Sequence, residues 1–114
     1  MYKLLALFLA VFLYSCTSDN LEEYYGVIDC ESLGVSFSKD IQPIISTNCA
    51  ISGCHVSGTG LPDWTKYENL AANAQKVKQR TFSGEMPPSI SGRSLTIEEV
   101  NKISCWADAG APNN

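Results

Sequence analysis

A chain of 114 residues is one domain or less, and with 12 acidic against 8 basic side chains it carries a net charge of −4. That balance excludes a protein that tracks a phosphate backbone, which demands a basic footprint; no nucleic-acid partner is expected. The one basic cluster, Lys76, Lys78 and Arg80, falls at the end of a predicted helix, where cations suit the macrodipole, and reads as a solvated face.

In chain order, Lys3 is followed by an apolar run from Leu4 to Leu13. A membrane-spanning helix needs about 20 apolar residues. The run is therefore too short to span and reads as the h-region of a secretory signal, residues 1–15. Leu13-Tyr14-Ser15-Cys16 resembles the lipobox of bacterial lipoproteins, whose cysteine becomes the acylated first residue. Cys16 is thus the expected lipidation site, and the lipid anchor the expected link to a membrane, at the periplasmic face or the cell surface. Without Lys3 the mature chain has 7 basic against 12 acidic residues, a charge of −5. Residues 16–34 read as the lipidated cysteine and a tether. Its acidic start, Asp19 to Glu23, faintly resembles a signal for surface export.

From Val35 the pattern becomes helical. The first helix is expected to open at Asp40 as N-cap, with Pro43 tolerated in its first turn and Ile41, Ile44 and Ile45 on one face, closed at the entry by Phe37. Thr65-Lys66-Tyr67-Glu68 reads as a capping box opening a second helix, whose apolar places are Tyr67, Leu70, Ala71, Ala74 and Val77. Thr96-Ile97-Glu98-Glu99 repeats the device. The third helix then carries Ile97, Val100, Ile103 and Trp106 or Ala107 and stops at Gly110, with Pro112 beyond. Nothing alternates with a period of two, so the expected class is all-α: three main helices, with loops over about residues 50–64 and 81–95. A domain of roughly 80 ordered residues rarely stabilises itself without a staple, a metal or a cofactor.

The loops carry residues that could supply one. Cys49-Ala50-Ile51-Ser52-Gly53-Cys54-His55 sets two thiols before a histidine, as covalent haem attachment requires: each thiol adds to a vinyl group and the next residue offers an imidazole to the iron. Four residues separate the cysteines where two are usual, and Gly53 makes the longer loop feasible. His55 is the sequence's one histidine, and apart from Met1 its one methionine is Met86, in Gly84-Glu85-Met86-Pro87-Pro88. A histidine and a methionine make a familiar low-spin pair for reversible electron transfer.

These residues resemble a known family. Residues 37–49 (FSKDIQPIISTNC), Gly53-Cys54-His55, Gly60-Leu61 followed by a helix with Tyr67, Gly84 to Pro88, and residues 95–114 (LTIEEVNKISCWADAGAPNN) look like the small c-type cytochrome domains of lipoproteins and multidomain proteins in Bacteroidetes and Planctomycetes. The resemblance covers nearly all of residues 35–114. It implies a cytochrome c-like fold around one haem c, with Cys49 and Cys54 as thioether sites, His55 as proximal and Met86 as distal ligand. It also implies first and last helices that cross, so that Ile41, Ile44 and Ile45 meet Val100, Ile103 and Trp106. Leu61, Tyr67, Leu70 and Phe82 become pocket candidates. His55 is expected to coordinate through Nε2 and to donate Nδ1–H to a carbonyl around Gly60 to Pro62. With Cys16, Cys49 and Cys54 assigned, Cys30 and Cys105 remain, and a disulfide between them is plausible in an exported protein.

The expected function is that of a monomeric one-electron carrier, not an enzyme, serving separate redox partner proteins. Three rivals stand beside it. One is a structural zinc site using Cys49, Cys54, His55 and another thiol; the next is a colourless binding lipoprotein with a Cys49–Cys54 bridge. The last is a haem protein with peroxidase-like or ligand-sensing activity, which would need an open iron position. For the anchor the expected outcome is direct: Cys16→Ala releases a soluble protein from membranes, read by fractionation, and mass spectrometry of the parent finds an acylated Cys16.

Overall fold

The computed structural model describes residues 27–114. The signal segment, Cys16 and the acidic start of the tether lie outside the described residues. Within them the chain is helical and has no strand. Its helices are α1 (Cys30–Leu33), α2 (Gln42–Asn48), α3 (Tyr67–Ala72), α4 (Ala74–Phe82) and α5 (Ile97–Asp108). A π-helical turn, Phe37–Ile41, leads into α2, and a short 3₁₀ turn, Ser89–Ser91, precedes α5.

The first helical segment starts earlier than its sequence suggests. Ser36, not Asp40, is the cap: its hydroxyl accepts from the Lys39 N–H at 3.2 Å. The Asp40 carboxylate reaches back to accept from the Ser36 N–H at 3.0 Å, so the Ser36 hydroxyl and the Asp40 carboxylate between them satisfy the Lys39 and Ser36 donors, much as a capping box does. Pro43 sits in the first turn of α2, and Ile41, Ile44 and Ile45 are all buried, as their spacing predicts.

The second helix differs twice from expectation. Thr65 does not cap it; its N–H donates to Asp63 Oδ1 at 3.0 Å and its hydroxyl donates to the same oxygen, so α3 opens at Tyr67 with no side-chain cap. At Asn73 the backbone leaves the helical region (φ −112°, ψ 10°) while the Asn73 amide donates to the Asn69 carbonyl at 2.8 Å. Asparagine competes in this way for backbone groups. The single expected helix becomes α3 and α4, although Leu70, Ala74 and Val77 stay buried across the break.

Helix α5 has the capping box its sequence announces, Thr96 and Glu99 each accepting from the other's backbone N–H. Val100, Ile103, Trp106 and Ala107 are buried. Ile97, the first residue of the helix, is 56 % exposed instead, while Val100 in the same turn is buried. Trp106, 1 % exposed, lies 5.9 Å from the ring of Phe37, and Phe37 meets Tyr67 edge-on at 4.9 Å. Removing a side chain this large and this buried costs about 3–5 kcal/mol.

Past α5 the chain folds back over this core. Gly110 takes φ 89°, the left-handed conformation that ends helices, and Ala111 follows with φ 52°. The tail then ties three elements together. Trp106 Nε1 donates to the Pro112 carbonyl at 3.0 Å and the Tyr67 hydroxyl to the Ala111 carbonyl at 2.6 Å. The Phe37 N–H donates to Asn114 Oδ1 at 2.8 Å.

At the other end, Cys30 and Cys105 form a disulfide, their Cα atoms 5.4 Å apart. Residues 30–34, read from sequence as tether, are therefore a capped helical turn joined to α5, Asp29 accepting from the Ser32 N–H at 3.1 Å. The bridge spans 75 residues. A loop of that length is worth about 4 kcal/mol in the chain-entropy account. Replacing both cysteines with Ala should lower the unfolding free energy by about that amount in urea titration.

Asp40 supplies a pH-dependent term. Its hydrogen bond from Ser36, and then Lys102 at 3.3 Å, hold its carboxyl below the ordinary carboxylate value. A carboxyl depressed by folding stabilises above its unfolded pKa of about 3.9, and the contribution is lost as pH falls through the lower folded value. Asp40→Asn should thus cost about 1 kcal/mol at neutral pH, solvent access keeping the figure small. Denaturation of both proteins across the acid range should show the difference closing towards zero only below about pH 4.

Candidate functional site

The loop after α2 is shaped by its own backbone. Cys49 and Ala50 both donate to the Ile45 carbonyl, at 2.9 and 2.8 Å, closing the helix. Gly53 turns the chain with φ 81°, Cys54 N–H returns to the Ile51 carbonyl at 3.0 Å, and His55 N–H donates to the Cys49 carbonyl at 3.1 Å. The two additional residues between the cysteines are thus taken up in a closed ring that brings His55 back beside Cys49. Thr59 pins the next turn, its hydroxyl donating to the Cys54 carbonyl at 2.7 Å.

The His55 ring is fixed from two sides. Nδ1 lies 3.0 Å from the Pro62 carbonyl, which can only accept, so Nδ1 carries a proton and Nε2 is the ring nitrogen left to meet a ligand. Pro62 falls in the short run expected to supply this acceptor. The Trp64 ring stacks on the imidazole at 4.7 Å and 20° between planes, and the Trp64 N–H donates to the His55 carbonyl at 3.0 Å. Sequence reasoning missed Trp64. Its signal was the Pro62-Asp63-Trp64 turn directly after the predicted acceptor.

Met86 is positioned by the end of α4. Ser83 N–H donates to the Gln79 carbonyl at 3.0 Å, Gly84 adopts φ 73°, and the Met86 N–H donates to the Arg80 carbonyl at 3.0 Å. The reversal that Gly84 permits turns the chain back along the helix it has just left.

These segments face one another. Cys49, Cys54, His55 and Met86 all line a single cleft of about 280 Å³, with an otherwise largely apolar wall that includes Leu61, Trp64, Val77 and Pro87. Of the other expected pocket residues only Leu61 is there. Tyr67 and Leu70 belong to the core beneath α5, and Phe82 does not line the cleft, where α4 presents Lys76, Val77, Arg80 and Thr81. Lys76 and Arg80 line the cleft too, although their sequence reads as a solvated face; only Lys78 has that role, in an ion pair with Asp108 at 2.6 Å.

The thiols differ in setting. Cys49 is buried and Cys54 only partly so. Burial first, then the neighbouring Cys54 and Glu99, push the Cys49 thiol up to about 11. At neutral pH it stays protonated, a poor nucleophile towards a disulfide. Among the described residues no group of three or more His, Cys, Asp and Glu side chains converges in a metal-ligating cluster. Chemically the cleft joins two thiols, one imidazole of fixed tautomer and one thioether around an apolar space. No family model, curated protein or solved structure matches the chain.

Proposed function

We propose that this chain is a monohaem c-type cytochrome, a one-electron carrier of an exported chain, held to a membrane by lipid at Cys16 and folded in the cytochrome c manner around its cofactor. The observation that carries this reading is the convergence of Cys49, Cys54, His55 and Met86 on one cleft from two separate loops. Cys49 and Cys54 are of the type that would attach a haem c covalently, and His55 and Met86 of the type that would hold its iron low-spin. When bound, the haem supplies an iron that alternates between Fe(II) and Fe(III).

The chain's residues supply the rest. Cys49 and Cys54 hold the porphyrin by thioether bonds. His55 presents Nε2, since its Nδ1–H is committed to the Pro62 carbonyl, and Trp64 keeps the ring from rotating. Met86 offers its sulfur from a loop anchored on Arg80 and stiffened by Pro87 and Pro88. Two ligands held this firmly move little when charge changes, which suits electron transfer. The thioether and the apolar wall both disfavour the additional charge of Fe(III) and so raise the potential. A cleft of about 280 Å³ is at the lower limit of small-molecule sites. A porphyrin in it would keep an edge in solvent, open to a separate redox partner protein.

The rivals fit less well. A zinc site needs a fourth ligand, and Cys30 and Cys105 are bonded to each other. A peroxidase-like centre needs an open iron position, which a Met86 sulfur in that cleft would close.

Met86 gives the test. Met86→Ala should remain red with about one haem per chain, because Cys49 and Cys54 make the covalent attachment. Its ferric sulfur-to-iron charge-transfer band should vanish, its potential fall and external ligands bind. A purified wild type without a haem spectrum overturns the reading. An unchanged ferric spectrum in the variant removes Met86 as ligand.

A further inference from the structure

Helix α4 turns an unusual wall towards the cleft. Asn73, Lys76, Val77, Arg80 and Thr81 all line it, and Lys76 and Arg80 stand one turn apart. Like charges at that spacing repel. The arrangement is the more notable in a chain with a net charge of −4, where carboxylates to neutralise them are plentiful.

Neither cation is fully compensated. The carboxylate paired with Arg80, Glu85, is 3.8 Å away, beyond hydrogen-bonding distance. Lys76 has no ion pair among the described residues. Lys78, between them in sequence, turns away from the cleft to Asp108. The wall thus carries two under-neutralised donors beside apolar surface, where a charge-assisted hydrogen bond to an anion is stronger than in open water.

We infer that Lys76 and Arg80 seat the two propionate carboxylates of the cofactor, and so decide which edge of the porphyrin lies against α4. The inference rests on the haem reading and adds to it an anion subsite on the cleft wall. It also gives the two cations a reason to face the same way. Arg80 has a second part in the site, because its carbonyl accepts from the Met86 N–H at 3.0 Å. One residue thereby links the seat of a carboxylate to the loop of the distal ligand.

The test is an acid–base titration of the propionates, isotope-labelled at their carboxyl carbons, in the reduced, membrane-released holoprotein by NMR. The charged or titratable side chains on or beside that wall are Lys76, Arg80 and Glu85; in the holoprotein His55 would be bound to iron and the two cysteines would be thioethers, so none of the three would titrate. Removing a contacting cation should raise a carboxyl pKa by about one unit. Arg80→Gln and Lys76→Gln should each do so for one propionate, and Arg80→Lys should restore part of the shift. Lys78→Gln removes the same charge from the same helix outside the cleft and should leave both nearly unmoved. If Lys78→Gln shifts the propionates as far as Arg80→Gln does, or if neither cleft variant shifts them in a protein that keeps its haem spectrum, the subsite is overturned and the haem reading stands. A colourless wild type overturns both. Both Gln variants keep a helix-forming side chain at a solvent-reachable site, so folding is not at stake, and retained haem absorbance checks it.

Discussion

The structure depends on the burial of Trp106. Its indole closes the core that Ile41, Ile44, Ile45, Leu70 and Ile103 share. Its one polar atom is satisfied by the Pro112 carbonyl at 3.0 Å, so the largest buried side chain carries no unpaired donor. That bond requires the tail to reverse at Gly110 and Ala111. Once reversed, the tail offers Ala111 to Tyr67 and Asn114 to Phe37, and the π-helical turn, α3 and α5 are held in one arrangement.

The cleft follows from the same packing. With so few ordered residues, the core is complete on the side where α5, the π-helical turn and the tail meet. The opposite side, between the Cys49–His55 loop, α4 and Met86, forms the largely apolar cleft. Apolar surface gains dispersion contacts when it is covered. On the proposed reading the cofactor is the missing part of the core, and covalent attachment keeps it there even though the protein around it is thin. The disulfide acts in the same sense at the far end of α5, through the unfolded chain and not through added contacts.

The sequence is most legible where a single local rule decides. The Thr96–Glu99 box, the buried stripe of α5 and the three isoleucines rest on hydrogen bonds and periodicity within one turn or two. It is least legible where two local options compete. Thr65 could cap a helix or bond to Asp63, and the shorter link to Asp63 prevails. Asn73 could continue a helix or take the Asn69 carbonyl, and taking it interrupts the helix without moving its buried stripe, which runs from Leu70 through Ala74 and Val77 to Thr81. Lys76 and Arg80 precede Val77 and Thr81 by one residue and so flank that stripe. Periodicity marks the stripe but does not say whether the surface beside it meets solvent or a cleft. Of the candidate site, the residues that carry chemistry stood out by type and scarcity; Trp64 did not, because a stacking partner has no spacing of its own.

The state of Cys49 bears on how the site could be assembled. A thiol pushed up to about 11 by burial ionises little at neutral pH, so any bond made by a Cys49 thiolate forms more readily before that sulfur is buried than after. The same geometry presents the reduced pair beside the imidazole whose tautomer is already set by Pro62. On the proposed reading, thioether formation at Cys49 would therefore precede the final packing of its loop, with His55, whose Nδ1 is taken by the Pro62 carbonyl, lining the same cleft.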